Sequence, residues 1–234
     1  MSVYDAKSLV FDGGLIREIF VGGKKVYPML PDGYTELEYI ESAASQYIKT
    51  GVLVNPNYTV MAEFMVTKAT TVWDTIFGTR SGNNARFTAR YANTTAGVLG
   101  IQRSRAVGSS MESYNDSVLA KNKVTSSFHT VRLAKNKYYS DGALKKTFGT
   151  ATSTASYNYE LYLFANNNAG TVGDAGYLRM RYVTIQDEND NWVRVFIPCL
   201  NQSGVAGMYD FVNDKFYGSA SSEAFEAGPV RKVA

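Results

Sequence analysis

One histidine and one cysteine in 234 residues leave little material for metal or nucleophilic chemistry. The lone Cys199 excludes an intrachain disulfide, and its place in the apolar run VRVFIPCL marks a buried, inert thiol rather than a nucleophile. Every Ser-His-Asp or Cys-His arrangement depends on His129, which lies inside SFHTVRL with no Gly-x-Ser-x-Gly elbow before or after it. Strand alternation gives His129 the phase of Val131 and Leu133, so a partly buried packing role is expected. One His and one Cys fall short of the ligand cluster that zinc takes, and no phosphate-binding glycine loop occurs. No cofactor is expected on these grounds.

Charge of one sign is also scarce. The net charge is +3, and the basic pairs (Lys24-Lys25, Arg103 and Arg105, Lys145-Lys146, Arg179 and Arg181) are interspersed with acidic residues. Without a polybasic stripe, nucleic acid is not an expected partner. No apolar run approaches the ~20 residues of a transmembrane helix, so no membrane partner is expected. The opening, MSVYDAKSLVFDGGLIREIF, lacks the basic start and unbroken apolar core of a signal peptide. The expectation is a protein made in a cytosol and not exported by the usual route. Amphipathic helices of useful length are missing too.

What is abundant points to strands. Seventeen Tyr and twelve Phe, with many Thr and Val, are punctuated by twenty Gly. Short strand-like runs follow one another from Tyr34 onward, among them NYTVMAEFMVT, VWDTIFGT, ARFTARYA, SFHTVRLA, YLRMRYVTIQD and NWVRVFIPCL. Val60, Ala62, Phe64 and Val66 share one face of a period-two strand; Leu178, Met180 and Tyr182 oppose Arg179 and Arg181. Asp141-Gly142 reads as a hairpin turn with Tyr139 and Leu144 available to pack, and Asn213-Asp214 as another turn. Many short strands in one long domain predict an all-β sandwich or jelly roll. Residues 104–123 read as the longest irregular stretch, functional or mobile at that length.

Two units are expected. Residues 1–30 hold LIREIFVGGKKVYP, two β runs about a Gly22-Gly23 turn, too small to be stable alone. Ile16, Ile19, Phe20, Val26 and Tyr27 give this hairpin apolar surface wanting a partner, which makes it an attachment segment. PMLPDG forms the boundary, and residues 31–234 form the main domain.

Several stretches of that domain carry a resemblance: LPDGYTELEYIESAASQYIKTG, FHTVRLAKNKYYSDGALKKTF, YELYLFANNNAG and RMRYVTIQDENDNWVRVFIPCLNQSGVAGMYDFVNDKFYG. In order and spacing they resemble the concanavalin A-like, laminin-G-like jelly-roll domains common in phage and prophage structural proteins of gut bacteria. The hairpin is similar to short segments of phage virion proteins. This resemblance implies a concanavalin A-like jelly-roll β-sandwich preceded by a small N-terminal β-hairpin. It also implies a homo-oligomer that assembles with other virion proteins. Laminin-G-like domains can hold calcium on rim loops, which leaves Asp174 or Asp116 as calcium candidates.

Three carboxylates, Glu36, Glu38 and Glu41, echo the catalytic run of β-sandwich glucanases. On a strand Glu36 and Glu38 share a face about 6.7 Å apart, with Glu41 opposite. Leu37 and Tyr39 are the better core residues, so the glutamates are expected to face water, where no raised pKa arises for a general acid. DENDNWVRVFIP begins like a calcium loop, but Trp192 and Pro198 stand at the glycine and closing-glutamate positions, and Asp187 to Asn191 reads as a tight turn. Sugar recognition needs an aromatic platform beside amides or charges, usually on rim loops. Tyr91 and Asn93, then Tyr114, Asn115 and Asp116, then Asn166, Asn167 and Asn168 are the candidates; the alternative is that these asparagines only make turns.

A non-enzymatic structural protein of a phage virion, carrying a lectin-like jelly roll for host-glycan attachment or decoration, is the expected function. A bacterial surface carbohydrate-binding or adhesion module is the alternative, and a glycoside hydrolase the second one. An adhesin needs an export signal and an anchor, whereas virion parts assemble in the host cytoplasm and leave by lysis.

Overall fold

In the computed structural model the described residues are 30–232, apart from 83, 84 and 107, together with the backbone of four short strands before them. Ile19–Val21 pairs antiparallel with Lys24–Tyr27, the hairpin expected near the N-terminus. Ile16, the Gly22-Gly23 turn and the side chains of Ile19, Phe20, Val26 and Tyr27 lie outside the described residues.

The main domain is a jelly-roll β-sandwich, and no α-helix occurs among the described residues. One sheet runs Ala143–Thr147, Lys137–Ser140, His129–Ala134, Thr59–Val66, Tyr177–Gln186, Trp192–Leu200, Ala206–Asp210, Lys215–Tyr217. The second runs Met111–Asp116, Leu99–Ser104, Arg86–Tyr91, Asp74–Arg80, Tyr162–Leu163, Ile48–Lys49. Neighbours are antiparallel except where Asn166–Asn168 adds to Asp74–Arg80 in parallel. Thr59–Val66 lies between His129–Ala134 and Tyr177–Gln186, partners far away in sequence, so the core closes only when distant segments meet.

Alternation drives the packing. Val60, Ala62, Phe64 and Val66 are fully buried on one face and meet Phe77, Phe87, Tyr91 and Ile101 of the second sheet in one core. His129 has the phase of Val131 and Leu133, opposite Phe64. Cys199 is buried, and burial pushes its thiol up to about 12, which leaves it inert at neutral pH. The Asp141-Gly142 turn has φ of 46° and 78°, the left-handed pair that a two-residue hairpin requires. Asn213-Asp214 turns Ala206–Asp210 back onto Lys215–Tyr217.

Four details differ from the sequence reading. A bulge at Arg181 sets Tyr182 opposite Glu63, so the inward face passes from Met180 to Val183 and Ile185 and Tyr182 leaves it. Residues 104–123 are not irregular throughout, because Met111–Asp116 forms the edge strand beside Leu99–Ser104. Leu144 does pair with Tyr139, but it stands 52% exposed. Glu36 does not face open water: it is half-buried and lies 3.4 Å from Arg231, while a bend at Glu38 brings both Leu37 and Ile40 into the core.

Candidate functional site

A cleft of about 430 Å³ opens at one rim of the sandwich, lined by Thr71, Trp73, Asn93, Asp174 and Tyr177 among others. Its volume falls within the range of small-ligand pockets. Trp73 ends the loop before Asp74–Arg80, Asn93 follows Arg86–Tyr91, and Asp174 and Tyr177 flank the turn into Tyr177–Gln186. The β-sandwich thus brings together residues more than a hundred positions apart.

Arg90 organises the cleft from below. Its guanidinium lies 4.2 Å from the centroid of the Trp73 ring, and its Nη1 donates to Asp174 Oδ2 at 2.7 Å. The indole is therefore pinned over a cation while remaining 36% exposed. Lys68 Nζ stands 5.4 Å from the Tyr177 ring. Ala44 and Asp174, both lining the cleft, have φ of 67° and 55°. A side chain in that region costs about 1–2 kcal/mol, so the surrounding packing must hold these loops in place.

The loops are held from inside. Lys121 and Asp74, both fully buried, form an ion pair at 2.5 Å. Lys121 Nζ also donates to the carbonyls of Thr70 (3.1 Å) and Val72 (2.6 Å), on the segment that carries Trp73. Asp74 Oδ1 accepts from the backbone N–H of Tyr177 at 2.9 Å. One buried pair thus fixes two walls of the cleft.

Of the residues proposed from sequence, Asn93 lines this cleft. Tyr91 is instead a core residue with no exposed surface, because alternation along Arg86–Tyr91 turns it inward. Asp116 is 1% exposed and accepts from Tyr138 Oη (3.0 Å), Ser140 Oγ (2.9 Å) and the Val118 N–H (3.0 Å). Tyr114 packs half-buried with its ring 5.8 Å from that of Tyr138, while Asn115 is exposed on the edge strand. Asn166 is fully buried; Asn167 is 1% exposed, donating to Glu160 O and accepting from the Gly170 N–H. Asn168 Oδ1 accepts from Arg80 Nε at 2.9 Å. Tyr91, Asp116, Asn166 and Asn167 are thus interior groups, out of a ligand's reach. The two carboxylates considered for calcium are occupied with Arg90 (Asp174) and with internal donors (Asp116).

The other catalytic candidates resolve similarly. Glu41 accepts from Arg179 Nε at 2.6 Å, and Glu38 is exposed. Asp187 Oδ1 accepts from the N–H groups of Asn189 and Asn191, the tight turn expected there, and the Asn191 side chain holds the Asp187 pKa below its ordinary value. One arrangement was missed. His129 Nδ1 lies 2.9 Å from Asp141 Oδ2, and its Nε2 lies 2.9 Å from Ser127 Oγ, the order of an acyl-transfer triad. Ser127, however, sits in an exposed bend and not on a strained turn above a sheet, and Asp141 Oδ1 also accepts from the Thr130 N–H at 2.8 Å. The three side chains staple the Asp141-Gly142 hairpin to its neighbouring strand.

Sequence reasoning also missed Trp73, Arg90 and Tyr177 as site residues. Trp73 was absorbed into the strand run VWDTIFGT, although it stands before the strand begins. The signal was there: a tryptophan beside Thr-Thr-Val at a strand entry, where a core residue is not required.

No family model and no curated protein matches the sequence. Among solved structures, the chain is similar to the CBM40 of a Ruminococcus gnavus IT-sialidase, at 16% identity and TM-score 0.44, over 63% of this chain and 89% of that one. It is similar to domains LG4-5 of the mouse laminin alpha1 chain, at 13% identity and TM-score 0.46, over 86% of this chain and 48% of that one. It is also similar to a full-length tailspike protein 2 from an Escherichia coli O157:H7 bacteriophage, at 12% identity and TM-score 0.43, over 69% of this chain and 24% of that one. These are distant likenesses in outline, and the cleft stands on its own side chains.

Proposed function

We propose that this chain is a non-enzymatic, carbohydrate-binding jelly roll that a phage virion displays toward host-surface glycans. The rim cleft carries the reading. A sugar ring packs its apolar face on an aromatic side chain and bonds its hydroxyls to amides and charges. Trp73 supplies the platform, Asn93 an amide, and Asp174, held by Arg90, a fixed acceptor. Of the three carboxylates considered for hydrolysis, Glu36 and Glu41 are tied to Arg231 and Arg179, and Glu38 stands exposed. The virion setting rests on the sequence resemblance of residues 31–229 and of the hairpin.

A glycan array on the full chain tests the binding. Trp73→Ala should weaken any positive signal about tenfold, equivalent to ~1.4 kcal/mol, and Asn93→Ala by a similar factor. Retention of full binding in both variants would place the site elsewhere.

Residues 1–30 are the proposed attachment module, joining the domain to other virion proteins within a homo-oligomer. Deleting them should leave a domain that melts cooperatively yet no longer joins its assembly. Failure of the truncated domain to fold would make the segment part of the core.

A further inference from the structure

The bulge at Arg181 turns Tyr182 away from the core, onto the outer face of the first sheet. Thr184 and its partner Val195 share that face, and Tyr209 joins it two strands away from Tyr182. An outer face open to water carries polar residues. Here Tyr182, Val195 and Tyr209 keep only 8%, 7% and 5% of their surface exposed, although none belongs to the core between the sheets. Thr184 keeps 3%.

Tyr34 and Phe211 account for Tyr209, with ring centroids at 5.3 Å on either contact. Tyr182, Thr184 and Val195 lie further in, on the central strands. Every described strand of the main domain belongs to one of the two sheets, so among the described residues no strand forms a third layer above them. Glu63 and Tyr182, opposite each other on this face, both have interactions that the described residues do not show.

The chain enters the domain at the same place. The Tyr34 N–H donates to Pro31 O at 3.1 Å, closing a turn, and the Tyr34 ring packs against Tyr209 and Phe216. Residues 1–29 are therefore tethered at the edge of this face. We infer that the N-terminal hairpin, Ile19–Val21 with Lys24–Tyr27, docks on the outer face of its own first sheet and covers Tyr182, Thr184 and Val195.

Three arguments favour this occupant. Five of the seven strand residues of the hairpin are apolar, and a lone two-stranded hairpin is marginal in water without a surface to cover. Crossing from Tyr209 to Tyr182 takes two strand spacings, about 10 Å, and a four-residue strand spans about 13 Å. A short tether also holds the hairpin at an effective concentration of about 1 mM, which a second copy at micromolar concentration does not match. The inference rests neither on the glycan reading nor on what the segment joins in an assembly.

The test uses the full chain, with photoreactive benzoylphenylalanine placed in turn at Ile19 and Phe20, adjacent positions that point to opposite faces of a strand. Light and nitrogen-15-labelled copies are mixed and irradiated. At least one position should cross-link within a single copy, to the peptides that carry Tyr182, Thr184 or Val195. Cross-links between light and heavy copies would overturn the inference in favour of a hairpin exchanged between chains. Cross-links confined to other surfaces, or none at all, would overturn it outright. Hydroxyl-radical footprinting gives a second reading. Ile19→Asp with Phe20→Asp should raise labelling of Tyr182 severalfold and leave Tyr138 and Tyr157, which are buried between the sheets, unlabelled. Unchanged protection of Tyr182 in that variant would contradict docking. A parallel rise at all three tyrosines would report global unfolding, and the cross-linked peptides then decide.

Discussion

Asp74→Asn is expected to destabilise the domain by about 3–5 kcal/mol, a large share of the roughly 5–15 kcal/mol that holds a typical domain together. The substitution leaves the Lys121 ammonium buried with carbonyls but no counter-charge. Lys121→Met should cost a similar amount at neutral pH, with a different pH dependence. Burial pushes the Asp74 pKa above its ordinary 3.8, against the pull of Lys121 and of the Tyr177 N–H. A folded-state pKa above the unfolded one means that the unfolded chain loses its proton first as pH rises, so this group's contribution to stability falls with rising pH. In Lys121→Met, where the ionised carboxylate has lost its partner, the deficit should shrink as pH drops toward the raised Asp74 pKa. Replacing both residues together should cost less than the sum of the single changes. Chemical denaturation of the four proteins across pH checks all of this. Because Lys121 holds the Thr70 and Val72 carbonyls on the segment that leads into Trp73, glycan affinity should fall in these variants even under conditions where they remain folded.

Asp116→Ala should cost about 3 kcal/mol, because it strips the shared acceptor from Tyr138 Oη, Ser140 Oγ and the Val118 N–H inside the sandwich. Burial, and then the Asp116 carboxylate, push the Tyr138 phenol far above its usual range, so Tyr138 stays a donor at any working pH. Tyr138→Phe removes one bond of the set and should cost only about 1 kcal/mol. Thermal or urea denaturation ranks the two. Glycan binding by folded Asp116→Ala should match the wild type. A stable Asp116→Ala that loses glycan binding would return this residue to the ligand site.

That pair of expectations marks where sequence reading reached its limit. The strands were legible because a period-two alternation such as Val60, Ala62, Phe64 and Val66 has one physical solution, burial between two sheets. Asp141-Gly142 was legible because few residue pairs accept two positive φ angles in succession. The motif ESYND was misread because tyrosine, asparagine and aspartate suit a rim loop and an edge strand equally well. Only the pairing with Leu99–Ser104 turns Asp116 inward. The Arg181 bulge leaves no mark in an otherwise regular alternation. The cleft itself is a long-range object: Trp73, Asn93 and Asp174 become neighbours only through strand order.

The central claim is that sugar rests on Trp73. The chain has two tryptophans, so Trp192→Phe leaves Trp73 as the sole indole reporter. Titrating this variant with any glycan that binds the wild type should shift the Trp73 emission to the blue and saturate at the calorimetric dissociation constant. Saturable binding with the emission unchanged would contradict the claim and send the search for the site to another part of the sandwich.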